Sequence, residues 1–99
     1  MKISIDDLKK ELGDNYHEND DTVLEVIIER YTSIAVQFSN RKKTDELLKP
    51  YIVTAVIEDY LRRGDEGTSS STEGGQSASY IDIEEKLRKD ILPIRIGRP

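Results

Sequence analysis

An all-α fold is what this sequence predicts, and three features predict it. Apolar residues recur at three- and four-residue steps over two long stretches, Leu24 to Phe38 and Leu48 to Tyr60. Residues that start and stop helices bracket the amphipathic stretches. Strand-like alternation is confined to the last few residues, Ile94-Arg95-Ile96-Gly97-Arg98-Pro99. The expectation is a small helical domain built on an antiparallel helix hairpin, followed by a long Gly/Ser-rich loop, a C-terminal helix and an extended tail.

The first helix is expected over about 4–12. Ser4 is its N-cap, Ile3 is placed to staple onto Leu8, and Gly13 stops it; the apolar stripe is Ile5, Leu8 and Leu12. The polar stretch Asp14 to Asp20 reads as a loop, with Asp21 or Thr22 capping the next helix and Glu25 at capping-box spacing from Thr22. That helix, about 21–39, carries Leu24, Ile27, Ile28, Tyr31, Ile34, Ala35 and Phe38 on one face. A basic turn, Asn40-Arg41-Lys42-Lys43, leads to Thr44 as cap of a third helix over about 45–63 with Leu48, Tyr51, Ile52, Ala55, Val56 and Tyr60 inward. Two long amphipathic helices joined by a short turn form an antiparallel hairpin. Pro50 falls inside the third pattern, where a proline kinks or starts a helix at a cost of about 3 kcal/mol in the interior. A kink is expected, because Leu47 and Leu48 keep phase with Tyr51 and Ile52. Arg62 and Arg63 near the negative helix end, then Gly64, read as the stop.

Residues 64–79 hold no large apolar side chain and read as a flexible loop; connections of this length are either linkers or functional. Tyr80, Ile83, Leu87 and Ile91 then mark a fourth helix, about 82–91, with Asp82 as cap and Pro93 as terminator. The tail 93–99 is too short to fold alone; it either frays or adds an extended segment to a partner.

Composition narrows the function classes. At 99 residues the chain is one domain, 1–99, and its hydrophobic fraction of 35% implies a thin core that gains from packing against neighbouring subunits. The absence of cysteine excludes a disulfide framework, a thiolate zinc site and a cysteine nucleophile. No apolar run approaches the roughly 20 residues that cross a bilayer, and the start Met1-Lys2-Ile3-Ser4-Ile5-Asp6 lacks a signal peptide's apolar segment. No membrane partner is expected. A net charge of −5 argues against a free-standing DNA binder whose affinity comes from neutralised phosphates. The charge is uneven: Lys86, Arg88, Lys89, Arg95 and Arg98 face only Asp90 after residue 85, whereas Asp14 to Asp21 holds acids alone. That polarity suits contacts between copies or simply solvated faces.

No catalytic constellation emerges, so the chain is not read as an enzyme and no cofactor or metal is expected. His17, the single histidine, sits in a polar loop without the glycine and ligand spacing of a calcium site. Ser69, Ser70 and Ser71 lack a nucleophile elbow. Gly74-Gly75 lacks the following Lys-Ser/Thr of a phosphate loop. Glu58 and Asp59 read as surface charges. The clusters Arg41-Lys42-Lys43 and Arg62-Arg63 lie at helix ends with no aromatic residues between them, an arrangement the helix dipole alone explains.

The stretch Tyr60-Leu61-Arg62-Arg63-Gly64, followed by the serine-rich Thr68-Ser69-Ser70-Ser71-Thr72, then Glu73-Gly74-Gly75 and Ser77-Ala78-Ser79-Tyr80, resembles the head-to-tail connector (adaptor) family of long-tailed phages. The resemblance implies a structural virion protein assembled in the host cytoplasm, a helical adaptor forming a ring of twelve copies beneath the portal after DNA packaging. It would link capsid to tail and extend the DNA channel, with packaged DNA passing through without sequence-specific binding. Implied partners are the portal protein, neighbouring copies, and a stopper or tail-completion protein. The resemblance points to Arg62, Arg63, Glu73, Gly74, Gly75 and Tyr80 in and beside the loop, and to Ile94, Arg95 and Ile96 in the tail, as contacts with portal or neighbours. The alternative is a small helical regulator, antitoxin-like or nucleic-acid-binding, marked by salt-dependent DNA binding.

Overall fold

The computed structural model describes residues 3–17, 20–66 and 80–97. Helix α1 (Ile5–Leu12) starts where the Ser4 hydroxyl accepts the Asp6 amide at 3.1 Å and ends at Gly13, whose φ of 56° carries the chain out of the helix. Leu8 and Leu12 are buried, and Ile3 and Ile5 pack against the same cluster. A 3-10 turn, Gly13–Asn15, follows.

Helix α2 (Asp21–Ser39) is 19 residues long and buries Leu24, Ile27, Tyr31 and Ala35 at helical spacing. Its N-cap is Asp20, not Asp21 or Thr22, and the cap makes no side-chain bond to the helix. The reason is competition: the Asp20 carboxylate accepts the Tyr60 hydroxyl at 2.5 Å, which ties the loop to the neighbouring helix. Asn40 ends α2 in the left-handed region at φ 62°, a conformation asparagine adopts more readily than most residues.

The third helix departs from expectation at both ends. Asp45, not Thr44, opens it, accepting the Leu47 amide at 2.9 Å over a 3-10 turn, Glu46–Leu48. Helix α3 then runs Lys49–Glu66, so Pro50 lies in its first turn, where a missing amide donor costs nothing, and produces no mid-helix kink. Leu47 is left exposed: it falls seven residues before the exposed Thr54, on the side of the helix away from Ile52 and Val56, so only Leu48 keeps the phase of the buried face. Gly64 does not stop the helix, which continues through it to Glu66. The remainder of the Gly/Ser-rich stretch, 67–79, lies outside the described residues.

Helix α4 (Ile81–Ile91) is capped by Tyr80 and has Asp82 inside its first turn, so Asp82 is not the cap. Ile83, Leu87 and Ile91 face inward. Pro93 sits in a closing 3-10 turn, Leu92–Ile94, beyond which Arg95 turns extended.

α2, α3 and α4 pack pairwise, and α1 lies against α2 and α3. Together they enclose one core of aliphatic residues with Tyr31, Tyr60 and Tyr80 among them. Described residues include four α-helices and no strand. No helix among them is long and apolar enough to cross a membrane.

Candidate assembly interface

At one end of the bundle, the C-terminal turns of α3 meet the start of α4. Arg63, half-exposed, reaches back one turn to Asp59, which is fully buried although its sequence neighbours suggested a surface charge. The buried Tyr31 hydroxyl donates to the other oxygen of Asp59 at 2.6 Å. A carboxylate taken out of water needs such partners, and here a cation and a hydroxyl share it. Burial, then the bond to Asp59, raises the Tyr31 phenol above its ordinary range.

The contacts continue outward. Arg62 forks onto Asp82 through two bonds of 2.8 and 3.0 Å, which hold the Asp82 carboxyl below its ordinary value. The guanidinium groups of Arg62 and Arg63 lie 5.7 and 5.1 Å from the centre of the buried Tyr80 ring. On the other side Arg30 stands 5.9 Å from the Tyr31 ring and bonds Glu84 at 2.7 Å. A continuous chain of polar and ring contacts therefore runs Glu84, Arg30, Tyr31, Asp59, Arg63, Tyr80, Arg62, Asp82 and joins α2, α3 and α4 near the start of α4.

The loop between α1 and α2 belongs to the same end. The Tyr16 ring stacks on Tyr60 with centres 6.5 Å apart, and its hydroxyl donates to Asp21, which raises the Tyr16 phenol to about 12 and lowers the Asp21 carboxyl. The His17 amide donates to the Tyr60 hydroxyl at 3.0 Å. Among the described residues no group of three His, Cys, Asp or Glu is arranged to hold a metal ion.

The opposite end carries the tail. The last carbonyls of α2 lack helical partners, and the tail supplies them: the Ile96 amide donates to Ser39 O at 2.9 Å, and Arg95 Nε donates to Phe38 O at 2.7 Å while its guanidinium lies over the Phe38 ring. In return Asn40 Nδ2 donates to Ile96 O at 3.0 Å and Arg41 Nε to Ile94 O at 2.7 Å. Arg41 is itself fixed by Asp45 at 2.7 Å, and the Leu47 amide and Arg41 together lower the Asp45 carboxyl. Ile94, Arg95 and Ile96 are thus bonded to the end of α2 and the hairpin turn.

The residues that the sequence singled out fall into two groups. Arg62, Arg63 and Tyr80 come together; Ile94, Arg95 and Ile96 lie at the far end of α4, about 16 Å away by the rise of an eleven-residue helix. Glu73, Gly74 and Gly75 lie outside the described residues. Asp59, Tyr31, Asn40 and Arg41 were missed. Asp59 was legible, since it falls three residues after Val56 and seven after Ile52 on the apolar face; the partners of the tail were not, because nothing local pairs positions over 50 residues apart.

The polar contacts of the described residues thus tie the end of α3 to the start of α4 and the tail to the end of α2. The sequence pattern of the family described as Phage gp6-like head-tail connector protein matches residues 2–95. The chain belongs to that family. No curated protein and no solved structure matches it. The connector is accordingly a structural component of the phage particle at the junction of head and tail. The match takes in Arg62, Arg63, Tyr80, Ile94 and Arg95 and ends one residue before Ile96.

Proposed function

We propose that the connector assembles as a ring of twelve copies on the portal once DNA is packaged, extending the channel toward the tail and receiving a stopper or tail-completion protein. The observation that carries this reading is the family match over residues 2–95. The physical character of the chain supports it. A net charge of −5 suits a channel wall along which DNA slides without adhering, because adhesion comes from neutralised phosphates. A thin core gains from neighbours.

Two contact roles follow. The Arg62, Arg63 and Tyr80 cluster ties together the end of α3 and the start of α4, between which Glu73, Gly74 and Gly75 fall in the sequence, and the segment that holds these three contacts adjacent copies. Ile94, Arg95 and Ile96 meet the portal, for which they must leave Ser39, Asn40 and Arg41. The test is binding of the purified chain to the portal encoded beside it, followed by electron microscopy. A ring stacked on the portal with the Ile94 end at the contact supports the proposal. Absence of binding at micromolar concentration to an assembled portal, together with salt-dependent DNA binding, overturns it in favour of a nucleic-acid-binding regulator.

A further inference from the structure

The outward faces of the helices differ in kind. Those of α1 and α4 are mostly charged, with Asp6, Asp7, Lys10 and Glu11 exposed on the first and Glu85, Lys86, Lys89 and Asp90 on the second, where exposed apolar side chains stand only at the ends, Ile81 at the start and Leu92 just past the last turn. The outward face of α3, with the turn before it, instead presents Leu47, Pro50, Thr54 and Leu61, all exposed, with half-buried Ile57 at the edge. Leu47 is 52% and Leu61 38% exposed. Leu47, Thr54 and Leu61 are spaced by seven, and so are Pro50 and Ile57, the spacing of a seam onto which another helix packs at about 20°. The Thr54 hydroxyl is spent on Pro50 O at 3.0 Å, which leaves its methyl for the seam. The outward face of α2 carries Val26, 61% exposed, with Ser33 and Gln37 in line.

We infer that the α3 seam of one copy packs against the outward face of α2 in the next copy. This rests on the ring reading and supplies its lateral contact. The two faces lie on different helices and are not alike, so pairing them joins copies head to tail, the kind of contact that closes into a ring on the portal, whereas α3 on α3 would stop at two. Register follows from the fold. Rotation about an axis along the hairpin changes no residue's height, and α2 of one copy then runs antiparallel to α3 of the next. Within one copy Tyr31 meets Asp59, and Ile27 lines a small apolar depression together with Arg63, so residues whose numbers sum to about ninety share a level. Leu61 therefore faces the space between Val26, Glu29, Arg30 and Ser33, the four-residue hole that receives a knob in helix packing, and Thr54 faces Gln37. Arg30 at the rim is held back by Glu84. A seam about 21 Å long and one helix wide offers a few hundred Å² at most, below the roughly 800 Å² per partner that sustains a free pair. The contact consequently serves closed rings on a platform, not dimers in solution.

The native chain has no cysteine, so cross-linking reads the contact directly. Gln37→Cys and Thr54→Cys variants, mixed in equal amounts and assembled on the portal, are expected to form a mixed disulfide, and the double variant a ladder of oligomers, while neither single variant links to itself. A companion Leu61→Glu variant is expected to keep its helical circular dichroism and lose at least about tenfold in assembly, the worth of one buried leucine. Rings visible on the portal without the mixed disulfide overturn the face assignment and leave the ring standing. Self-linking of Thr54→Cys overturns the head-to-tail arrangement, and absence of rings under all conditions overturns both.

Discussion

Replacing Asp59 by alanine removes the hydrogen-bond acceptor that the Tyr31 hydroxyl has among the described residues, on a ring with no solvent exposure. A buried hydroxyl left unpaired costs about 1–3 kcal/mol. Arg63, 40% exposed in its side chain, turns to water and adds little. The expected loss for Asp59→Ala is about 2–3 kcal/mol once the small cavity is added, which lowers the melting midpoint by about 10–20 °C in a chain of this size. Tyr31→Phe alone strands one oxygen of Asp59 and costs about 1–2 kcal/mol. Combining Tyr31→Phe with Asp59→Leu removes both polar groups and fills the site, so the double variant is expected to be less destabilised than the sum of its single changes by about 1–2 kcal/mol. Urea unfolding followed by circular dichroism on the native chain, Tyr31→Phe, Asp59→Leu and the double variant reads this coupling, with Asp59→Ala measured beside them. Additive losses, or an Asp59→Ala cost under about 0.5 kcal/mol, would refute the account of a closed Tyr31, Asp59 and Arg63 network.

Three further predictions concern the tail, the hairpin and pH. Ending the chain after Pro93 removes four hydrogen bonds to the end of α2; with tail ordering deducted, stability is expected to fall by about 1–2 kcal/mol, and hydrogen exchange at Asn40 to accelerate. Pro50→Ala is expected to change stability by less than about 1 kcal/mol, because Pro50 lies in a first helical turn; a gain near 3 kcal/mol would mean an interior kink. The phenols of Tyr16, Tyr31 and Tyr60 are all raised, so their contribution is intact below about pH 10 and is lost as pH rises toward the folded values. Tyrosinate absorbance near 295 nm should then appear together with loss of helix, and ionisation of Tyr31 ahead of unfolding would count against its burial. On the acid side, the lowered carboxyls of Asp21, Asp45 and Asp82 contribute stability above about pH 4 that is lost as pH falls through their folded values.

The helical fold was legible because its determinants are local. Leu24, Ile27, Tyr31 and Ala35 repeat on one face whatever else the chain does, and Ser4 and Gly13 act within one turn of themselves. Errors arose where two local rules competed. Asp20 could cap α2 or accept a distant hydroxyl, and Tyr60 outbid the helix. The phase of Leu47 and Leu48 favoured a kink at Pro50 in sequence; Asp45, five residues earlier, instead opens a 3-10 turn that puts Pro50 in the first turn of α3. Gly64 ends a helix only if the chain needs to leave there, and the Arg62 and Asp82 pairing keeps the last turns in place. At the candidate interface, residue types were legible but grouping was not. Arg63 and Tyr80 meet because α3 and α4 pack, and Arg95 reaches Phe38 because two helix C-termini share one end, which no spacing rule encodes.

That shared end has a thermodynamic consequence for the proposed portal contact. A tail bonded to its own subunit must leave Ser39, Asn40 and Arg41 before the same atoms can engage another protein, and every 1.4 kcal/mol of this attachment lowers the apparent affinity of the tail about tenfold. Under the proposed ring and portal contact, a single connector subunit would be kept from committing its tail, whereas a ring would present many tails to one platform and recover the loss through effective concentration. Weakening the attachment without touching the tail separates the two effects. Asn40→Gly keeps the left-handed cap of α2 while deleting the bond to Ile96 O, so it is expected to strengthen portal binding by an isolated subunit several-fold, as judged by titration, and to leave binding of assembled rings nearly unchanged. Weaker binding of the isolated Asn40→Gly subunit, with its helices intact, would mean that the attached form of the tail is the one the portal recognises.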